Sequence, residues 1–257
     1  MVLFMSQRDI NSLEVRMTLN GQKVVVIGGS SGMGQATARA AALDGAEVTI
    51  ASSRQNRVDA ALGELPAGCV GTALDVRDEA AVAAFFERLG ELDHLVFTAG
   101  DAFTPRPLTD VRLSDAHAVL DVRFWGAVTV VKYAAPRIRA GGSIGLTTGT
   151  VGQRPVSGAA LAAAGAGATE GLVRALAVEL APVRVNAVRS GAVRTQMWDR
   201  IPRAQREVLF TRLAQGTLTG AIGKPEQLAA AHLYLMQNGY VTGTVHTVDG
   251  GLLLTGS

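Results

Sequence analysis

Short apolar runs rich in β-branched residues alternate along this chain with longer stretches in which apolar residues return every three or four positions. The first run covers residues 23–28, Lys-Val-Val-Val-Ile-Gly, and has the length and composition of a buried strand. Residues 33–43 follow helical spacing, with Gly45 where a C-terminal cap is expected. The alternation continues to the end of the chain. It predicts further strands over 47–51, 70–74, 94–98, 143–147, 183–188 and 244–248. Helices are expected over 57–62, 79–89, 114–139, 158–180, 203–213 and 225–236. Strands separated by helices at this interval run parallel and are joined by right-handed crossovers. The expected fold is α/β, a single-domain, Rossmann-like, doubly wound parallel sheet of about seven strands with helices on both faces. Met17-Thr-Leu-Asn-Gly-Gln-Lys leads straight into the first strand. Residues 1–18 are therefore expected to be a loosely ordered extension, and residues 19–257 the domain.

Composition narrows the partners. A chain of 257 residues that is 48% hydrophobic can bury a large core. The net charge is +2 and no basic run or stripe occurs, so a nucleic-acid partner is not expected. Cys69 is the single cysteine, which excludes an internal disulfide and a thiolate metal cluster and fits a small buried residue. His94, His117, His232 and His246 lack ligand spacing, so no metal site is expected. The N-terminus lacks a secretory pattern and no apolar run of spanning length follows, which points to a cytoplasmic protein without a membrane partner.

Between the first strand and the first helix lies Gly28-Gly29-Ser30-Ser31-Gly32-Met33-Gly34. Glycines at a strand-to-helix turn let the backbone approach a pyrophosphate closely, and the helix N-terminus offers it free N–H groups. Strand two ends Ala51-Ser52-Ser53-Arg54, without the carboxylate that would bind the ribose hydroxyls of NAD. Arg54 can pair with a 2′-phosphate, with Ser53 adding a hydroxyl, or it is an ordinary surface arginine. NADP(H) is the expected cofactor.

The glycine-rich turn resembles the Thr-Gly-x-x-x-Gly-x-Gly signature of the short-chain dehydrogenase/reductase family, with Ile27 in place of the threonine. The resemblance continues in Asp75-Val76, which it implies hold the adenine, and in Thr98-Ala99-Gly100 after strand four. The run from Val185 through Ser190, Gly191, Val193 and Thr195 resembles the segment that meets the nicotinamide carboxamide, with Ser190 where proline is usual. Gly223-Lys224-Pro225-Glu226 and Val248-Asp249-Gly250-Gly251 complete the match.

The same resemblance implies a serine, a Tyr-x-x-x-Lys pair and an asparagine that move the proton in carbonyl reduction. Aligned on Glu170-Gly171-Leu172, those positions hold Gly149, Ala162, Ala166 and Arg123. A shifted alignment does not supply them, because neither Tyr nor Lys occurs between Tyr133 and Lys224. Loss of positioned acid/base catalysis lowers a rate by about 10²–10⁴, and loss of an oxyanion donor adds about 3 kcal/mol to the barrier. Efficient carbonyl reduction by the family mechanism is therefore not expected. Three readings follow: an NADP(H)-binding protein with weak or no such activity, a narrow-substrate oxidoreductase, and a non-redox enzyme or inactive partner subunit. Arg123, Thr148 and Thr150 are the candidate substitutes. Arg123 is too basic to donate a proton at neutral pH but can stabilise an oxyanion or bind a carboxylate, in the volume of the missing lysine. Thr148 and Thr150 can donate to a carbonyl or satisfy backbone. Ala and Gly crowd residues 158–168, a surface that lets another helix approach closely. By resemblance, a homotetramer or homodimer is expected, or a mixed oligomer with an active relative.

Overall fold

Strand β1 (Lys23–Ile27) is buried on both sides, with Val24, Val25, Val26 and Ile27 at most 1% exposed. Side chains along a strand alternate between faces. Val25 and Ile27 enter one core, with Leu95, Phe97, Ile144, Leu146, Val185 and Ala187; Val24 and Val26 enter another, with Val48, Ile50 and Val96. A strand that must be apolar on both faces belongs to the interior of a helix-covered sheet, which is why its sequence runs apolar without alternation.

The computed structural model describes residues 18–100 and 105–255. Its strands are β1, β2 (Glu47–Ser52), β3 (Val70–Ala73), β4 (Leu92–Phe97), β5 (Ile138–Gly149), β6 (Arg184–Ser190) and β7 (Val245–Val248). They form one seven-stranded sheet in the order β3-β2-β1-β4-β5-β6-β7, parallel throughout. Helices α1 (Gly32–Leu43), α2 (Gln55–Glu64) and α8 (Pro225–Gln237) supply Ala38, Ala41, Val58, Ala61 and Met236 to the Val24/Val26 face. Helices α3 (Glu79–Leu89), α5 (Gly126–Ala134) and α6 (Ala160–Glu179) supply Val82, Phe86, Val130, Val131 and Val173 to the other. The doubly wound α/β architecture read from the alternation is the one found. The strand order reverses between β1 and β4, so the carboxyl ends of those parallel strands open the crevice where such sheets hold ligands.

The long helix expected over 114–139 is instead α4 (Leu113–Leu120), a π turn (Asp121–Trp125), α5 and a short 3₁₀ turn (Ala135–Arg137). Pro136 ends the helical run because it offers no N–H. Ile138 already pairs with Leu92, and the register slips before His94 pairs with Ser143, so β5 starts five residues ahead of the expected 143 (143 to 138). Helix α2 is longer than expected at both ends. Helix α7 (Arg203–Gln215) precedes α8.

By length and composition α6 could cross a membrane, contrary to the expectation that no such apolar run exists. It packs on β5 and β6 with Val173 fully buried, and carries Glu170 in a buried ion pair. The expected extension lies outside the described residues except for Thr18, whose hydroxyl donates to the Asp44 carbonyl at 3.2 Å.

Candidate functional site

Two glycines of the first βα turn are dictated by space. Gly28 has φ +85°, and a methyl group there would stand 2.6 Å from the Ala99 nitrogen. A methyl on Gly34 would stand 2.3 Å from the Gly28 carbonyl oxygen and 2.4 Å from Thr98 Oγ1. Backbone this tightly folded brings the start of α1 up to the end of β4, with glycines where helical N–H groups begin. Ser31 is the N-cap of α1 in extended conformation, and its side chain makes no capping bond. Ser30 Oγ donates to Ser52 Oγ at 2.8 Å, tying the turn to the end of β2. Met33 packs beneath the turn against the Val188, Val193 and Leu228 cluster.

This cradle offers what a dinucleotide pyrophosphate requires: close backbone approach at glycines and a helix N-terminus. Ser53 and Arg54 are exposed just beyond β2, with Arg54 as the N-cap of α2. Val76 is buried against Gly126. Asp75 accepts from Arg77 through its backbone nitrogen at 3.0 Å and its guanidinium at 2.6 to 3.2 Å. That hydrogen bonding holds the Asp75 carboxyl below the usual carboxylate range. Asp75 is thus committed to its own turn, leaving backbone groups around Val76 as the face available to a base.

On the other side of the crevice, Gly191 donates its N–H to Val248 at 3.0 Å, and buried Val193 forms a parallel bridge with Gly223. Thr195 closes on the cradle, its Cγ2 3.2 Å from where a Gly32 methyl would lie. A cleft of about 460 Å³ begins there, with Gln35, Arg39, Arg194 and Phe210 among its walls. Arg194 lies over the Phe210 ring at 4.3 Å and pairs with Glu207 at 3.0 Å, holding α7 near the cradle. Trp198 donates to the Val193 carbonyl at 2.8 Å and packs edge-on against Phe210. A helix over 203–213 is legible in the sequence, but the pairing of Arg194 with Glu207 and Phe210 is not, since no periodic pattern links the three.

The face that would carry proton chemistry lies between β5, α6 and the π turn. Gly149 ends β5 opposite Ser190. Ala162 is half-buried and Ala166 buried on α6. The Thr148 hydroxyl donates to the Ala166 carbonyl at 3.4 Å. Thr150 is buried, and its carbonyl accepts from Gln153 and Arg154 at 3.0 and 2.8 Å. Arg123 projects from the π turn, a form of helix found often at functional sites. Its guanidinium lies against Gly100, where a methyl would come within 2.7 Å of Cζ, and its Nη2 is 3.8 Å from Met197 Sδ. Arg123 therefore reaches from the α4–α5 junction across the crevice mouth to the segment after β6.

The sequence also gave no sign of a buried polar knot behind this face. Arg189 on β6 and Glu170 on α6 form a two-pronged ion pair, Nε to Oε1 at 2.9 Å and Nη2 to Oε2 at 2.7 Å, with side chains 8% and 10% exposed. Arg189 Nη1 donates to Thr247 Oγ1 at 2.8 Å. Both residues lie inside runs that resemble family segments, and only their opposite charge hinted at contact.

The chain is similar to known proteins over nearly its whole length. The family described as Enoyl-(Acyl carrier protein) reductase matches residues 27–253. The short-chain dehydrogenase/reductase ucsE of Acremonium sp is 35% identical, over 97% of this chain and 100% of its own. The 3-oxoacyl-[acyl-carrier-protein] reductase FabG of Thermotoga maritima is 31% identical, over 93% of this chain and 100% of its own. Among solved structures, the MalC Reductase/Diels-Alderase of Malbranchea aurantiaca superposes with a TM-score of 0.87 at 31% identity, covering 94% of this chain and 100% of that one. A small-chain dehydrogenase in complex with NADPH superposes with a TM-score of 0.77 at 33% identity, covering 91% and 100%. With the strand order, the cradle and these full-length similarities in agreement, the chain belongs to the short-chain dehydrogenase/reductase family.

Proposed function

We propose that this protein binds NADP(H) in the crevice between β1 and β4 and does not efficiently reduce simple carbonyls. The carrying observation is the α6 face, where Ala162 and Ala166 stand in the positions that the family resemblance gives to the tyrosine and lysine. Bound NADPH supplies a hydride. Reduction of a neutral carbonyl also needs a proton at the oxygen, and neither alanine can deliver one. Thr148 directs its hydroxyl to backbone, which leaves it poorly placed to help. In this reading the protein is cytoplasmic and self-associates through α6 and its neighbours.

The position of Arg123 favours a second reading, a narrow-substrate oxidoreductase. A guanidinium across the crevice mouth supplies fixed positive charge without a transferable proton. It suits an acceptor that brings its own proton, or one whose carboxylate or developing oxyanion the guanidinium can hold. The similarity to a protein described as a reductase/Diels-Alderase supports the view that this scaffold serves reactions other than simple carbonyl reduction.

The test is titration of NADPH and NADH by nicotinamide fluorescence, followed by NADPH consumption against a panel of ketones and aldehydes. Tight NADPH binding without ketone-dependent consumption is expected. Brisk turnover of a simple ketone would overturn the first reading, and failure to bind NADPH would overturn both.

A further inference from the structure

The Arg189–Glu170 pair is more than stability requires. Buried ion pairs are often replaced by apolar pairs of similar volume at no loss of stability. The distinguishing feature is how completely the guanidinium is used. With the Gln153 amide turned so that its oxygen faces the ion pair, that oxygen accepts from Arg189 Nη2 at 2.9 Å and Nη1 at 3.3 Å. Together with Glu170 and Thr247, each of the five guanidinium N–H groups then meets an acceptor. The four residues come from four places: the turn after β5, α6, β6 and β7.

Two of those places flank the candidate reaction face. Arg189 immediately precedes Ser190 and Gly191, the start of the segment that closes the crevice opposite the cradle. Gln153 follows the 3₁₀ turn Thr150–Gly152, which roofs α6 at Ala166. The α6 surface under that roof is made of alanine and glycine and offers no polar side chain to hold it. Gln153 anchors the roof to Arg189, and Arg154 anchors it to the C-terminal segment through Leu252 O and Thr255 Oγ1, at 2.5 and 2.7 Å.

We propose that Arg189 and Glu170 are positioning residues for the nicotinamide half of the site. Their ion pair fixes the end of β6, and through Gln153 it fixes the roof after β5, so that both walls hold one spacing. This inference rests on the NADP(H) reading. Among the described residues, the knot's hydrogen bonds do not reach the adenine half of the site at the ends of β2 and β3.

Two variants test the idea. The double replacement Arg189→Met with Glu170→Leu removes the knot without leaving a buried lone charge. Gln153→Leu cuts only the link to the roof and keeps the ion pair, so it stays informative if the double variant fails to fold. Binding of NADPH is compared with that of adenosine 2′,5′-bisphosphate, which reaches only the adenine half. Both variants should hold the bisphosphate within about twofold of wild type while NADPH affinity falls about tenfold. The fluorescence change of the bound nicotinamide should also be lost. Equal losses for the two ligands, or no loss for either, would overturn the proposal. A wild-type protein that binds neither ligand would remove the cofactor reading and this inference with it. Wild-type binding with unchanged variants would remove the inference alone.

Discussion

The guanidinium of Arg123 lies flat against the backbone of Gly100, so closely that a single added methyl would stand 2.7 Å from Cζ. Gly100 φ is outside the left-handed region, so alanine fits its backbone and the clash falls on the mobile end of a long side chain. Gly100→Ala should therefore change stability by less than about 0.5 kcal/mol yet push the guanidinium off the crevice mouth. If Arg123 serves the site, Gly100→Ala and Arg123→Ala should weaken NADPH binding to a similar degree, and the double variant should add nothing. Unchanged binding in Arg123→Ala would show that Arg123 has no part, and additive losses in the four-protein titration would show that Gly100→Ala acts by a route other than Arg123.

The cradle gives the opposite expectation. A methyl on Gly34 meets the Gly28 carbonyl oxygen at 2.3 Å and Thr98 Oγ1 at 2.4 Å, and backbone cannot swing away as a side-chain tip can. Gly34→Ala should cost about 1–3 kcal/mol in stability and lower NADPH affinity at least about tenfold. Thermal melts and titration check both. A variant as stable and as avid as wild type would mean that α1 does not begin against β4 as described.

Arg54 decides between the two nicotinamide cofactors. It is exposed beyond β2, where a 2′-phosphate would lie, and Ser53 adds a hydroxyl beside it. Arg54→Asp should lower NADPH affinity by about tenfold or more, the loss of one charge-assisted contact, and raise NADH affinity. Parallel titration of the two cofactors reads the change, and an unaltered ratio would make Arg54 a surface residue only.

Acid should destabilise the fold through two histidines. His94 is held between Ser143 Oγ at 2.8 Å and Gln22 Oε1 at 2.6 Å, and burial, aided by the charge of Arg184 and opposed by that of Asp93, pushes its pKa down to about 4. His232 is fully buried on α8 beside Thr147, and burial lowers it to about 4 as well. Both are neutral in the folded state at neutral pH. Between the ordinary pKa of 6.5 and about 4 the unfolded chain takes up protons that the folded chain refuses. Stability is therefore complete above pH 6.5 and lost as the pH falls through that window, at about 1.4 kcal/mol per pH unit for each histidine. Urea unfolding at several pH values should show the slope, and His94→Gln should remove about half of it.

Much of this was legible in the sequence because the physics is local. A strand covered on both faces must be apolar at every position, so residues 24–27 declare β1 by composition alone. The cradle is equally plain, since only glycine fits at Gly28 and Gly34. The interruption of the helix expected over 114–139 was less plain. Pro136 marks its end, but the π turn at Asp121–Trp125 leads into Gly126, which lies against Val76, a contact between residues 50 apart (126 less 76). The Arg189–Glu170–Thr247 knot and the Arg194–Glu207–Phe210 cap were invisible for the same reason. Each joins elements that only the folded sheet brings together, through side chains that taken singly look like surface charge.

The hardest prediction concerns returning proton chemistry to the site. The triple replacement Gly149→Ser, Ala162→Tyr and Ala166→Lys restores the groups that the family resemblance implies. The three positions are not equally receptive. Ala162 is half-buried, and Gly149 has nothing nearer than 3.8 Å to a new methyl, so tyrosine and serine find room. Ala166 is roofed by the turn after β5: a methyl on Gly152 would stand 3.0 Å from Ala166 Cβ, and Thr148 donates to the Ala166 carbonyl. Lysine there must lift the turn, which Gln153 and Arg154 hold down, so Ala166→Lys alone should cost about 1–3 kcal/mol. Gln153→Leu should relieve part of that penalty by freeing the roof. NADPH-dependent ketone reduction should therefore appear in the triple variant at the expense of stability, and adding Gln153→Leu should recover part of the stability while NADPH affinity falls. Reduction by the triple variant with no loss of stability would mean that the turn yields freely and that Ala166 is not confined as the structure indicates.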